Sequence, residues 1–262
     1  MRVIKLLLFL SSAMLSIAVK ADNFQRLDEA LPDQMNITAF APVFDFDSDS
    51  CLPSAGISRS GVQNGGLNPS GSLTGGCRNA QFLQSANSYH RYACLEQNGH
   101  QYCGHFFALY FLKDQVLAGI NSGHRHDWEQ VAIWTEDGRV VYGGYSAHGD
   151  MYNLPAAEIP QQNGHLKFVY HKDGVLTHAF RFAKTDENAE NPYGQFVTPI
   201  IVNWYQMSGD SVANEQLRQS LNAFDYGNAI VPIKDSNFLT NLNRFRPASF
   251  PEFTRASVTQ SR

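Results

Sequence analysis

The chain has 262 residues, of which 43% are hydrophobic and 12% aromatic, and its formal net charge is −4. That composition excludes a disordered chain and gives enough length for one large domain with a substantial core. The acidic balance argues against nucleic acid as a partner and against simple Coulombic attachment to anionic lipid.

At the N-terminus, Arg2 and Lys5 precede an apolar stretch over residues 6–10 and 13–18 that is broken by Ser11 and Ser12. Val19-Lys20-Ala21 then offers a small-residue cleavage site before Asp22. This pattern reads as a secretory signal peptide over residues 1–21, too short in its apolar part for a bilayer span. It predicts a secreted, extracellular protein with a single mature domain over residues 22–262. Loss of Arg2, Lys5 and Lys20, with no acid among the first 21 residues, takes the formal charge from −4 to −7.

Asp45, Asp47 and Asp49 have the spacing that opens a calcium loop, but Ser50 stands where that loop needs glycine and Gly56 where it needs glutamate. A solvated turn before Cys51 is the expectation. Four cysteines, Cys51, Cys77, Cys94 and Cys103, are an even set in an exported chain and imply disulfides. Three pairings are possible; the sequence-local one, Cys51–Cys77 with Cys94–Cys103, is favoured. Residues 52–76 are rich in Gly, Ser, Asn and Pro and read as a long surface loop held at both ends by that bridge.

A helix is predicted over residues 78–93, followed by an aromatic strand over 105–112. Further strands are predicted over 131–134, 140–142, 166–170, 179–182 and 199–204, punctuated by Asp137-Gly138, Gly143-Gly144 and Asp173-Gly174. A second helix is predicted over 211–224, capped by Asp210 or Ser211, with Leu217, Leu221 and Phe224 at helical spacing and Gly227 as its stop. Many short strands with glycine-bearing turns, and no alternating αβαβ order, give a mainly β, single-domain antiparallel sandwich with flanking helices.

The chemistry concentrates in Gly123-His124-Arg125-His126-Asp127-Trp128-Glu129. On a strand, Asp127 and Glu129 share a face with Val131 and Ile133, while His126, Trp128 and Gln130 point the other way. Two neighbouring carboxylates repel unless they share a cation or a proton. Oxygen ligands would select a hard cation, Mg²⁺, Ca²⁺ or Mn²⁺. The alternative is surface ion pairing, with Arg125 neutralising Asp127 or Glu129. Among the scattered histidines, His148 stands out because it follows a strand and precedes the glycine of a turn. No GxSxG, P-loop or HExxH pattern occurs.

The heptapeptide resembles the signature of the necrosis- and ethylene-inducing peptide 1-like proteins, a family of secreted cytolysins. The resemblance extends to the segment over residues 45–51, to the aromatic strand over 107–114, and to the block over 224–238. It implies a β-sandwich akin to actinoporins and fungal lectins, in the branch with two disulfides. It implies a divalent cation held by Asp114, His124, Asp127 and Glu129, with His126, His148 and His178 at the same cavity. The implied target is the head group of glycosyl inositol phosphoryl ceramide, a plant plasma-membrane sphingolipid, with membrane permeabilisation and necrosis to follow. The stretch over 107–114 resembles one sensed by plant immune receptors. Where some members carry a tryptophan before the last cavity histidine, this chain has Val175 and Leu176, which could insert shallowly. A monomer without enzymatic activity is expected. The rival readings are a secreted metal-dependent hydrolase with Glu129 as base, and a non-toxic glycan-binding module.

Overall fold

The computed structural model describes residues 24–261; the predicted signal peptide lies outside the described residues. Among the described residues, ten strands and three α-helices follow in chain order. The strands are β1 (Val43–Phe46), β2 (Asn87–Gln97), β3 (His100–Gln115), β4 (Gly123–Glu136), β5 (Arg139–Ala147), β6 (Asp150–Pro155), β7 (Gln161–Gln162), β8 (His165–Lys172), β9 (His178–Phe182) and β10 (Ile200–Asn203). The helices are α1 (Asn214–Ala223), α2 (Phe238–Phe245) and α3 (Arg255–Gln260). One sheet has the order β10-β2-β3-β4-β5-β6; the other runs β1-β8-β7, with β9 also paired to β8. The expected sandwich is therefore present, but each sheet carries one parallel pairing, β10 with β2 and β1 with β8.

Residues along β3 explain how the layers stack. Phe107, Leu109 and Phe111 face the second sheet and join Phe44, Phe46, Phe168 and Phe180 between the sheets. Phe106, Ala108 and Tyr110 face the other way, into a core closed by Leu217 and Leu221 of α1 and Phe238 and Leu242 of α2. A strand buried on both faces needs apolar residues at every position, so its sequence shows a run rather than an alternation.

The helix predicted over 78–93 does not form. Residues 82–84 make a single 3-10 turn and β2 begins at Asn87. Ladder pairing with β3 along nine registered positions outweighs a weak local helix preference. The second helix is present as α1, although it starts after Ala213 and ends at Phe224, before Gly227. Both sequence-local disulfides are formed, Cys51–Cys77 and Cys94–Cys103. The segment between Cys51 and Cys77 is only partly a surface loop. Ala55 and Ile57 are fully buried, and Ser54 bridges to Tyr110.

Two buried histidines, His90 and His105, are expected to make the fold acid-sensitive. His90 and His105 stack with ring centroids 5.5 Å apart, and His90 Nε2 lies 3.2 Å from His105 Nδ1. Burial holds His105 down to about 3, and burial with the His105 neighbour holds His90 well below the ordinary value. Between pH 3 and 6.5 the unfolded chain binds a proton at His105 that the folded chain refuses, and the lowered pKa of His90 acts in the same direction. Stability is therefore present above 6.5 and lost on acidification, by about 1.4 kcal/mol per pH unit for each such histidine. A His105→Phe variant is expected to show a shallower acid-side fall in unfolding free energy than the parent. Parallel slopes in urea titrations at several pH values would refute this.

Candidate metal centre

The candidate centre lies where the β3–β4 hairpin reaches the end of the sandwich. Asp114 sits opposite His124 in the register, and Gln115 opposite Gly123. Residues three apart on a regular strand face opposite sides, so His124 and Asp127 can converge only where the alternation breaks. The break is at His126, which has φ 62, a conformation uncommon outside glycine. As a result Asp114, His124 and Asp127 each offer a ligand atom within 4.8 Å of the others.

Hydrogen bonds fix the protonation pattern. His124 Nδ1 lies 2.7 Å from the His126 carbonyl oxygen, which can only accept. In the neutral ring the proton is therefore on Nδ1 and the Nε2 lone pair is free. Nε2 stands 3.7 Å from Asp114 Oδ2, beyond hydrogen-bond reach. His178 supports Asp114 from behind: its Nδ1 is 2.7 Å from Asp114 Oδ1 and its backbone N–H is 3.0 Å from both carboxylate oxygens. His178 Nε2 also meets the Asp49 carbonyl at 3.2 Å. Both ring nitrogens thus face acceptors. Burial opposes the charge, but the bond to Asp114 and its charge outweigh it and raise the His178 pKa. His178 accordingly braces Asp114 through its ring and its backbone N–H, with both ring nitrogens engaged.

Asp114 and Asp127 are 1% and 4% exposed, so their charges have almost no solvent to stabilise them. The Tyr170 hydroxyl donates to Asp127 Oδ2 at 2.7 Å. Burial first, and Asp114 second, push the Asp127 carboxyl up to about 7. Burial and then Asp127 raise Glu129 well above its usual range. Glu129 accepts from Ser146 Oγ and stands on the cavity wall, outside the three-residue ligand group. Arg125 does not neutralise either acid. Its guanidinium is bound to the Gly65 carbonyl and Asn68 Oδ1. The surface ion-pair alternative therefore fails, and the donor set of two carboxylates and one imidazole fits a divalent cation.

The ligand group opens into a cavity of about 400 Å³. Its far wall comes from the C-terminal segment, with Asn228, Ile230, Asn241 and Arg244. Sequence reading missed this wall, because asparagines in loops carry no signal of which cavity they will meet. His148 lines the same cavity, but its ring nitrogens are engaged by Asp173 at 2.9 Å and Thr177 at 3.2 Å, the two ends of the β8–β9 turn. His126 is turned away, with Nδ1 2.6 Å from the Tyr110 hydroxyl; burial, with Arg125 adding to it, holds its pKa down to about 4. Val175 and Leu176 are exposed at the tip of the β8–β9 turn, Val175 at 80%.

The chain is thus a two-sheet sandwich with helices packed on one outer face and Asp114, His124 and Asp127 lining a cavity at one end. Residues 34–245 match the family of necrosis-inducing proteins (NPP1), and the chain belongs to that family. The necrosis-inducing protein NPP1 of Phytophthora nicotianae is 29% identical over 202 residues, covering 74% of this chain and 76% of the relative. Among solved structures, NLPPya in complex with mannosamine is 28% identical with TM-score 0.66, covering 84% of this chain and 94% of that one. The non-toxic HaNLP3 protein is 25% identical with TM-score 0.66, covering 86% and 98%.

Proposed function

We propose that this chain is a secreted cytolysin acting on plant plasma membranes. In this reading it recognises the head group of glycosyl inositol phosphoryl ceramide through a divalent cation, Mg²⁺ or Ca²⁺, and then permeabilises the bilayer. Asp114, His124 and Asp127 would hold the cation, with Glu129 beside them. When bound, the cation supplies open coordination positions that sugar hydroxyls can fill. The observation that carries this reading is the free Nε2 of His124 facing two buried carboxylates at the mouth of an open cavity. The amino sugar in the NLPPya structure is consistent with a carbohydrate ligand. Recognition through a cation also accounts for how an acidic chain could hold an anionic glycolipid.

Secretion rests on the pattern of residues 1–21; none of the described helices is long and apolar enough to cross a membrane. The protein acts as a monomer in solution and by binding, without turnover. Sensing by a plant immune receptor through residues 107–114 would need release of β3, since most of that stretch is buried between the two cores.

The test is dye leakage from vesicles made with and without the sphingolipid, in the presence of cation or chelator. Leakage is expected only when sphingolipid and cation are both present. Equal leakage from plain vesicles, or leakage indifferent to chelator, defeats the proposal. A second reading is sugar binding without leakage, favoured by the fold this chain shares with a non-toxic relative. Glucosamine binding by a protein that leaves every vesicle intact selects it.

A further inference from the structure

The cavity lies where the six-stranded sheet opens. β3 pairs with β4 as far as Gly123, but β5 pairs with it only from Val131 onward. Residues 123–130 of β4 therefore present a free edge to the cavity, and side chains from both faces of the strand border it. Asp127 and Glu129 stand on one face; Trp128 and Gln130 stand on the other, and all four line the cavity.

The Gln130 side chain is 3% exposed, and its Oε1 is buried without a hydrogen-bond partner. The Trp128 indole Nε1, on a side chain 6% exposed, is unpartnered as well. An orphaned buried amide carries a desolvation penalty that a leucine in its place would avoid, so the fold alone gives no reason for it. The backbone beside it is satisfied, since Gln130 N–H donates to Ser146 Oγ at 2.9 Å. Two residues earlier the Trp128 N–H points to the same edge, where β5 no longer pairs. The Tyr110 carbonyl, opposite Trp128 in the register, accepts from Ser54 instead. On the facing wall, Asn241 Nδ2 donates to the Pro232 carbonyl at 2.7 Å, which leaves Asn241 Oδ1 to accept. Arg244 on that wall is paired with Asp150 at 2.8 Å, so the wall carries no spare positive charge to select a phosphate or a carboxylate.

We propose that Gln130 anchors a second subsite of the cavity, which holds a neutral polyhydroxylated ring without help from the cation. It lies about 10 Å along β4 from Asp127. A ring hydroxyl both donates and accepts, and so matches the Gln130 and Asn241 amide oxygens together with the Trp128 N–H. A half-turn of the Gln130 carboxamide exchanges Oε1 and Nε2, so it can offer either to a ring. This rests on the carbohydrate reading of the cavity and adds a place for the ring next to the one on the ion.

Saturation-transfer NMR on the full chain reads the subsite with free rings: methyl β-galactoside, methyl α-mannoside and myo-inositol, each with Mg²⁺ or with EDTA. At least one is expected to bind and to keep its signal in EDTA, whereas glucosamine should lose its signal there. Gln130→Leu should weaken that ring about tenfold and leave glucosamine binding in Mg²⁺ unchanged. Asp127→Asn should do the reverse. Gln130→Leu should also melt no lower than the parent, because leucine leaves no orphaned amide; Gln130→Met, closer in shape, provides the same reading if the leucine variant fails to fold. A lower midpoint in both would mark the amide as structural and overturn the proposal. Silence from all three rings would leave ordered water as the partner of Gln130 and overturn it too. So would ring binding that disappears in EDTA, or that both variants retain in full. If glucosamine binds under no condition, the cation reading fails while the three rings still decide the subsite.

Discussion

Asp127→Asn is expected to abolish cation-dependent leakage while leaving the folded chain intact. The asparagine keeps the shape of the side chain, and its oxygen can still accept from Tyr170. What it removes is the ionisable carboxyl that burial and then Asp114 push up to about 7, and with it the charged form a cation would require. The ion-free variant should therefore be at least as stable as the ion-free parent. A cation present at a hundred times its dissociation constant should stabilise the parent by about 2.7 kcal/mol. The variant should gain almost none of that. Thermal unfolding with and without cation reads this difference directly. Leakage by the variant equal to the parent's, or an undiminished thermal shift, would remove Asp127 from the site.

The second large effect is expected at Gly123. Its φ is +86, and a Cβ placed there would stand 2.1 Å from the Asp114 carbonyl oxygen. Two costs combine, a left-handed backbone and a collision with rigid main chain on the partner strand. Gly123→Ala should destabilise the protein by about 3 kcal/mol. It should also spread the strands that carry Asp114 and His124, weakening cation binding. Gly119→Ala is the matched control. Its φ is +81, but nothing lies within 4 Å of the added Cβ, so about 1 kcal/mol is expected. Equal denaturation midpoints for the two variants would show that close packing at Gly123 does not limit the site.

Much of this was legible in the sequence. The alternation through Asp127, Glu129, Val131 and Ile133 placed the acids on the inter-sheet face correctly, because side-chain period is a local property of a strand. The sequence-local cysteine pairing followed from chain distance. The break at His126 was not legible, since a positive φ at a histidine is imposed by tertiary packing, here its bond to Tyr110 and its edge-on contact with Tyr226. The false helix over 78–93 has the same origin: pairing with a strand that follows it in the chain decided against local preference. Helix α2 carries Phe238, Leu242 and Phe245 at helical spacing, a signal that was present but short. Arg125 precedes both acids in the chain and on a regular strand would share the face of Asp127, yet it turns to the Gly65 and Asn68 loop, because the backbone break at His126 separates the two.

The cavity is assembled from two sources with different histories along the chain. Its candidate ion ligands, Asp114, His124 and Asp127, sit on one hairpin, whereas Asn228, Ile230, Asn241 and Arg244 arrive from about a hundred residues further on. If the cytolysin reading holds, coordination of the cation and selection of the carbohydrate would be separable traits. On the proposed reading, substitutions in the distal wall would change which head group is taken while leaving intact the three side chains that would hold the ion.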